Sequence, residues 1–248
     1  MRHIFIEICL DSVESAIIAQ EAGADRVELC ANLSEGGITP SLGMIQAVRQ
    51  AIDIPIHVMI RPRGGDFYYS DHEFEVMQKD ISTVKLAGVD GVVLGILKPN
   101  GYVDIERTNM LVELARPMSV TFHRAFDMAN DPMQSLEDII HTGADRLLTS
   151  GQHETAWEGM AVIARLIEQA NDRVVIMPGS GINETNVEAL LATTQAREIH
   201  LSAGSRVESS VQFRPANIHL ENYSSKTAYQ MYRANPGKIK RLREILDK

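Results

Sequence analysis

A nine-residue pattern of polar and apolar positions occurs three times in the chain, at 22–30, 87–95 and 142–150. Each copy ends a helix-like stretch at a Gly, passes through a short turn that contains Asp, and continues into a mainly apolar run of strand length. Gly readily takes the left-handed conformation in which many helices end. Because one strand–helix unit takes roughly 30 residues, the spacing of the copies leaves room for two units per interval. The copies therefore predict strands 2, 4 and 6 of a regular alternation.

The rest of the chain continues this alternation. Strand-length runs lie at 4–9, 26–30, 56–61, 91–95, 118–123, 146–149, 174–177 and 198–202. Capping residues and Pro mark helix starts. Helices are predicted to begin at Asp11-Ser12, at Asp131-Pro132 and at Asn183, and another to run from Thr39-Pro40-Ser41 to 51. Three more are predicted to cover 73–87, 105–115 and 154–169. A polar segment at 206–235 is expected to be irregular, and 236–248 to contain a closing helix.

Eight strands that alternate with helices imply a parallel sheet. In a chain of 248 residues they predict an α/β fold, a closed (β/α)₈ TIM barrel that forms a single domain over 1–248. A doubly wound open sheet is the alternative. It would require a Gly-rich turn after the first strand, and Leu10-Asp11-Ser12 is not such a turn.

The net charge of −9 argues against binding to nucleic acid or to an anionic membrane. A small anionic ligand is compatible with this net charge, because hydrogen-bond donors inside a pocket outweigh the charge of the whole protein. The first ten residues run directly into a strand pattern without the architecture of a signal peptide, and no apolar stretch is long enough to span a membrane. Two cysteines do not make a disulfide framework in a chain of this size. We therefore expect a cytoplasmic protein.

Side-chain alternation along the strands predicts a charged barrel interior. The residues expected to face inward are Glu7, Arg26, Glu28, Arg61 and His123, with Glu198 and His200 as further candidates. One interpretation is an ion-pair network that fills the barrel, since buried charges require partners. The other is an active site, because several of these residues end their strands, where barrel active sites lie. In that case Glu7 or Glu28 is the general base, His123 the acid, and Arg26, Arg61 and Arg124 bind an anion.

Two Gly-rich corners follow the last two strands, at 177–183 and 201–205. Barrels often bind phosphate with the loops after strands 7 and 8, where backbone N–H groups approach the anion. Ordinary turn geometry is the alternative reason for these glycines. The residues expected to bind substrate here are Gly179, Ser180 and Gly181, then Ala203, Gly204 and Ser205, with Asp127, Thr149 and Gly151 from neighbouring loops.

Cys9 and Cys30 end the first two strands, and both are expected on the inner face. Neighbouring strands lie roughly 4.8 Å apart, so two thiolates there could bind a soft monovalent ion such as Cu(I). They lack the further ligands of a closed zinc site. Alternatively, both pack as small apolar side chains, which is the simpler interpretation of their spacing alone.

Several motifs together resemble the CutC family. They are Ile-Glu-Ile-Cys at 6–9, Asp-Ser-Val-Glu-Ser-Ala at 11–16, Gly-Ala-Asp-Arg-Val-Glu-Leu-Cys at 23–30, Leu-Ser-Glu-Gly-Gly-Ile-Thr-Pro-Ser at 33–41, Met-Ile-Arg-Pro-Arg-Gly-Gly-Asp-Phe at 59–67, Thr-Phe-His-Arg-Ala-Phe-Asp at 121–127 and Leu-Leu-Thr-Ser-Gly at 147–151. The resemblance spans nearly the whole chain. It implies a (β/α)₈ barrel, a homodimer and a role in cytoplasmic copper homeostasis, with Cu(I) ligands at Cys9 and Cys30. It brings no established reaction.

Two functions follow from these observations. The first is binding or handling of Cu(I) through Cys9 and Cys30. The second is an enzyme that acts on a small phosphorylated or carboxylated metabolite by acid–base chemistry at the C-terminal face of the barrel. Whether the chain is an enzyme stays open at this point.

Overall fold

The computed structural model describes residues 3–215 and 229–248, and in them a (β/α)₈ barrel. The barrel confirms the fold predicted from the alternation. Its elements are β1 (Phe5–Leu10), α1 (Val13–Glu21), β2 (Arg26–Leu29), α2 (Leu42–Ala51), β3 (Ile56–Met59), α3 (Asp71–Leu86), β4 (Gly91–Leu94), α4 (Ile105–Ala115), β5 (Ser119–Phe122), α5 (Pro132–Thr142), β6 (Arg146–Thr149), α6 (Met160–Ala170), β7 (Val175–Pro178), α7 (Val187–Thr194), β8 (Glu198–Leu201), β9 (Gly204–Glu208), β10 (Gln230–Ala234) and α8 (Pro236–Leu246).

The eight barrel strands are parallel neighbours in the order β7-β6-β5-β4-β3-β2-β1-β8. The ring closes between β7 and β8 through a parallel bridge that joins Gly179 to His200. Such a ring brings the carboxyl ends of all eight strands to one face, where residues distant in sequence meet.

Local capping fixes most helix starts where the sequence predicts them. The hydroxyl of Ser12 accepts a hydrogen bond from the Ser15 amide at 3.3 Å, and that of Ser41 accepts one from the Met44 amide at 3.2 Å. Asp131 likewise accepts hydrogen bonds from the first two free amides of α5. These bonds satisfy N–H groups that a helix leaves unpaired at its first turn.

Two helix starts were predicted wrongly. Residues 154–159 form bends and turns before α6, which begins at Met160, and within them the side chains of Thr155 and Glu158 bond to each other's backbone amides. Asn183 does not cap α7. Its Oδ1 accepts hydrogen bonds from the amide and hydroxyl of Thr185, and α7 begins after Asn186. At Asn183 a polar side chain thus stabilises a local turn that competes with the helix.

The prediction of an irregular segment at 206–235 was also wrong in part. β9 and β10 pair as an antiparallel ribbon in which Ser205 lies opposite Arg233. The ribbon has polar and exposed positions along both strands, so its composition is that of a loop, and its pairing joins residues far apart in the sequence. Residues 216–228 lie outside the described part of the chain. The closing helix α8 is confirmed.

Alternation sorts the strand side chains into two layers. Ile6, Ile8, Val27 and Leu29 are fully buried between the strands and the helices, as predicted. Charged and sulfur-bearing side chains point to the barrel axis. Within the described residues, no helix combines the length and apolar character needed to cross a membrane.

Candidate functional site

A cavity of about 1270 Å³ opens at the carboxyl ends of the strands. The sequence-predicted residues in its wall are Cys9, Glu28, Arg61, His123, Arg124, Asp127, Ser180 and Gly181. His200, a further inward candidate, also lines it, as do Met59, Phe67 and Tyr232. Among the described residues, Glu7, Arg26, Cys30, Thr149, Gly151, Gly179, Ala203, Gly204 and Ser205 are not in that wall. The candidates therefore separate into an upper set around the cavity and a set placed elsewhere.

Below the cavity, the barrel axis holds a network of paired charges. Arg26 forms an ion pair with Glu7 through Nε, and its Nη2 donates to Glu198 at 2.7 Å. Arg146 Nε reaches the same Glu198 oxygen at 2.9 Å. We call Glu7, Arg26, Arg146 and Glu198 the lower network. Arg26 and Glu7 are almost completely buried, so each charge is stabilised by its partners rather than by water.

Histidines extend this network. His200 Nδ1 donates to Glu7 Oε1 at 2.7 Å. Burial by itself would raise the pKa of Glu7, but the charge of Arg26 and the bond from His200 lower it below its usual value. Burial likewise opposes the charged form of His200, yet the carboxylates of Glu28 and Glu7 raise the pKa of that imidazole well above 6.5. Glu7 is therefore a carboxylate held by two cations, which argues for a structural role rather than that of a general base.

His57 lies at the same depth and is neutral, because burial lowers its pKa to about 3. Its ring occupies space that Gly91 leaves on the neighbouring strand. A Cβ on Gly91 would stand 2.4 Å from Cδ2 of His57. The inward glycine of β4 therefore makes room for the imidazole.

The two cysteines meet at the edge of the cavity, with Cys9 Sγ and Cys30 Sγ 3.9 Å apart. Both are free thiols, Cys9 partly exposed and Cys30 buried. The hydrogen-bonded contact with Cys30 and burial raise the pKa of Cys9 above its usual value. For Cys30 the contact acts in the opposite direction, but burial and the nearby Glu28 carboxylate raise its pKa to about 12. Both sulfurs are therefore protonated near neutral pH.

Glu28 lies between the thiols and His200. Its Oε2 is 3.5 Å from Cys30 Sγ and 3.8 Å from His200 Nε2. Its Oε1 is buried and has no hydrogen-bond partner among the described residues. Burial raises the pKa of Glu28, and the Glu7 charge adds to this effect, while His200 acts against it. Glu28 is thus a buried carboxyl with one oxygen left for a ligand or a proton.

Two overlapping groups of side chains place potential ligand atoms within 4.8 Å of one another. They are Cys9, Glu28 and Cys30, and Glu7, Glu28 and His200. The second group is occupied by its own ion pairs. The first contains two soft thiols, and soft thiolates select Cu(I), whereas carboxylates suit harder ions.

The other side of the cavity centres on His123. Its Nδ1 accepts a hydrogen bond from the Ala125 amide at 3.1 Å, so the ring proton is on Nε2. That atom is buried without a partner among the described residues. Burial and the charge of Arg61 lower the pKa of His123 to about 3. His123 therefore offers a neutral N–H donor beside the ring of Phe67, whose centroid is 4.9 Å away.

Arg61 ties two loops together. Its guanidinium donates to the carbonyls of Glu35 and Gly37 in the loop after β2 and to the carbonyl of Gly65 in the loop after β3. Its Nε is buried without a partner among the residues described. Three of its five N–H groups thus hold the cavity wall, and the buried Nε–H is left for a ligand.

Asp127 organises the loop after β6. It accepts hydrogen bonds from the amides of Ser150 and Gln152, the hydroxyl of Thr149 and Nε of Arg124. The Gly151 amide donates to the Thr149 hydroxyl at 2.8 Å. The groups that were expected to contact a substrate therefore bond within the protein in this structure.

The two Gly-rich corners differ. Ser180 and Gly181 line the cavity, and Gly179 takes part in the closing bridge of the barrel. Ala203 precedes β9, while Gly204 and Ser205 belong to it and pair with Ala234 and Arg233. A Cβ on Gly204 would stand 2.2 Å from the Tyr232 ring, so this glycine serves the packing of the ribbon. The expected phosphate-binding corner after β8 is thus built into secondary structure.

Sequence reasoning missed several residues of the cavity wall, among them Phe67 and the ribbon residue Tyr232. Phe67 lies in a long loop whose path no local pattern predicts. Sequence reasoning also assigned no role to Met59, which lines the cavity as well. The inward alternation of β3 places Met59 in line with His57 and Arg61, and this signal could have identified it.

Comparison of the chain with known protein families, sequences and solved structures agrees with this fold. The CutC family model matches residues 4–205. A human protein named copper homeostasis protein cutC homolog is 48% identical over 240 residues, which cover 97% of this chain and 88% of the relative. A family protein CutC from Chromobacterium violaceum is 47% identical over 243 residues, with 98% of each chain covered. The crystal structure of a CutC protein from Streptococcus agalactiae superposes with a TM-score of 0.77 at 34% identity, covering 80% of this chain and 98% of that one. The chain therefore belongs to the CutC family.

Proposed function

We propose that the protein binds Cu(I) as its cargo at Cys9 and Cys30, in line with the copper homeostasis for which its relatives are named. The separation of the two sulfurs carries the proposal. Two thiolates that share one metal ion at roughly 2.3 Å lie about 4.0 to 4.6 Å apart, for bond angles between trigonal and linear. The observed 3.9 Å is close to that range before any ion is bound.

The surroundings support a site for delivery rather than a structural metal centre. Cys9 is in the cavity wall, so an ion that enters the cavity reaches it first, and Cys30 lies behind it. Because both thiols are protonated, Cu(I) must displace protons in order to bind. Reduced thiols are typical of the cytoplasm, which is where we place this activity.

The test is a Cu(I) titration against a competing chelator under reducing conditions, with wild type and a Cys9→Ser, Cys30→Ser double variant. We expect one tightly bound Cu(I) that the double variant loses. The control is Ser15→Ala, which removes a buried hydroxyl of α1 that belongs neither to the described cavity wall nor to the cluster around the thiols, and it should leave the affinity unchanged. Equal affinity of the double variant and the wild type would contradict the proposal.

A second candidate function is the binding of a small anionic metabolite in the cavity, on which an enzyme could act. The observation that favours it is a pair of buried N–H groups, on His123 and Arg61, that have no partner among the described residues and that Cu(I) at the thiols does not satisfy. They suit a carboxylate or phosphoryl oxygen, and Phe67, which contacts both side chains, provides an apolar wall.

Calorimetric titration with pyruvate and with inorganic phosphate tests this candidate. Binding of either probe should be lost in His123→Phe, which removes the donor and keeps a ring. Binding that is unchanged by His123→Phe, or no binding of either probe, would contradict it.

We also propose that the protein is a homodimer, as the resemblance to its family implies. Sedimentation velocity at several protein concentrations distinguishes a dimer from a 27.5 kDa monomer.

A further inference from the structure

Three neighbouring strands each bring one sulfur-bearing side chain to the same edge of the cavity. Cys9 lies near the end of β1, Cys30 directly follows β2, and Met59 ends β3. Val58 is paired with Leu29, so the next residues along, Met59 and Cys30, are neighbours on the inner face of adjacent strands.

The packing confirms this neighbourhood. Cys30, Met59 and Val93 form a small buried cluster separate from the main core, and Cys9 and Leu33 pack against it. The point at which a Cβ on Gly37 would stand is 2.9 Å from Cys30 Sγ and 3.6 Å from Met59 Cε. Met59 is 4% exposed, and like Cys9 it lines the cavity. Its thioether group thus lies beside the two thiols.

We propose that Met59 is the third ligand of the copper site and that its thioether sulfur makes the site selective for Cu(I). This inference rests on the proposed binding at Cys9 and Cys30. A thioether is a soft, neutral donor that favours Cu(I) and adds little to the binding of harder ions such as Zn(II). It carries no proton at neutral pH, so it coordinates the ion without the proton competition that the thiols impose.

Glu28 is the other side chain placed to complete a three-ligand group. A hard carboxylate is a poor donor to Cu(I) and a good one to Zn(II). The two side chains therefore favour different ions at one pair of thiols. Met59 favours Cu(I), and Glu28 favours Zn(II). Long, unbranched methionine side chains adapt readily to new positions, so a rotamer change of Met59 is the movement we expect when an ion enters between the thiols.

X-ray absorption spectroscopy of the Cu(I)-loaded, selenomethionine-labelled protein tests the proposal directly. We expect a Cu–Se scattering path besides Cu–S, and its loss in Met59→Leu, which keeps an apolar side chain of similar volume. The control is Met77→Leu, because Met77 is fully buried on α3 and is not in the described cavity wall, and this variant should keep the Cu–Se path.

Affinity provides the second measurement. Met59→Leu should weaken Cu(I) binding by about tenfold and leave Zn(II) binding unchanged. Copper bound with Cu–S paths alone, or a Cu–Se path that persists in Met59→Leu, would overturn the role of Met59 and leave the thiol site intact. Failure of the wild type to bind Cu(I) would instead overturn the proposed function itself.

Discussion

The lower network and the cavity above it lie on the same barrel axis, but they differ in whether their buried polar groups have partners. In the lower network the carboxylates of Glu7 and Glu198 have cationic partners within hydrogen-bond distance. Around the cavity, Glu28, Arg61 and His123 each keep a buried polar atom without a partner among the described residues. Other buried polar atoms of the described residues, such as Tyr69 Oη and His57 Nδ1, also have no such partner, but they do not belong to the cavity wall. Buried polar groups are normally satisfied, so the three exceptions that line the cavity mark where we expect a ligand, and the paired charges mark where the barrel is held together.

Removing one charge from the lower network should have the largest effect on stability. Arg26→Met leaves Glu7 and Glu198 buried without their shared cation, so we expect a loss of about 3–5 kcal/mol in the free energy of unfolding, measured in urea. Arg197→Met is the control, because it breaks an exposed ion pair with Asp172 and should cost a small fraction of that amount. Equal losses of stability in the two variants would contradict the view that the buried ion pairs of the lower network matter more than an exposed ion pair.

The thiols at the cavity should make copper binding strongly dependent on pH. The raised pKa values of Cys9 and Cys30 mean that both protons leave when Cu(I) binds. We expect release of roughly two protons per ion, and therefore an affinity that rises about a hundredfold per pH unit near neutrality. Calorimetry in buffers of different ionisation enthalpy measures the number. Binding without proton release would show that the thiols are not the ligands.

His123 should make the folded state less stable in acid. Its pKa is lowered from 6.5 to about 3 in the folded protein. Between these pH values His123 is therefore protonated in the unfolded chain and neutral in the folded protein. Stability contributed by the neutral ring is present above pH 6.5 and falls as the pH drops toward 3. Relative to His123→Gln, the wild type should lose about 2 kcal/mol between roughly pH 7 and pH 5. Parallel stability curves for the two proteins would contradict this.

A smaller effect is expected at Gly37, which adjoins the sulfur cluster. It has a φ of +88°, and a Cβ would stand 2.9 Å from Cys30 Sγ. Gly37→Ala should cost about 1–2 kcal/mol and weaken Cu(I) binding by displacing the thiol. Gly43→Ala is the matched control, since Gly43 lies in α2 and a Cβ added there would have no neighbour within 4 Å, so this variant should gain about 0.5–1 kcal/mol in stability. Similar stability and affinity in the two variants would argue against this contact.

The barrel was predictable because its signal is periodic. Alternating residues in β1 and β2 separate apolar from polar side chains, and this assigned Glu7, Glu28 and both cysteines to the inner face correctly. The ribbon of β9 and β10 was not predictable in the same way. Its strands have no buried face with a clear alternation, and their pairing depends on a contact across a long intervening segment.

The sequence did not predict how deep each inward side chain lies along the barrel axis. Glu7 and Glu28 occupy equivalent positions in their strand patterns, yet one lies in a saturated ion-pair network and the other has a free oxygen at the cavity, among the residues described. The difference arises from the stagger between strands, which places Glu7 beside Arg26 and Cys9 beside Glu28. The ion-pair interpretation of the charged interior therefore describes its lower level, and the interpretation as a functional pocket stays a prediction for the upper level.

The inward glycine of β4 has an evolutionary consequence. Gly91 and His57 divide one volume between two strands, and a Cβ at position 91 would overlap the imidazole. Neither position can gain bulk unless the other loses it, so their substitutions should show strong epistasis: Gly91→Ala should be tolerated far better when His57 is shortened as well. Gly95, directly after β4, forms a second such pair with His123 one level higher, where a Cβ would stand 2.6 Å from the ring nitrogen. We therefore expect substitutions at these two pairs of positions to be tolerated best when both members change together.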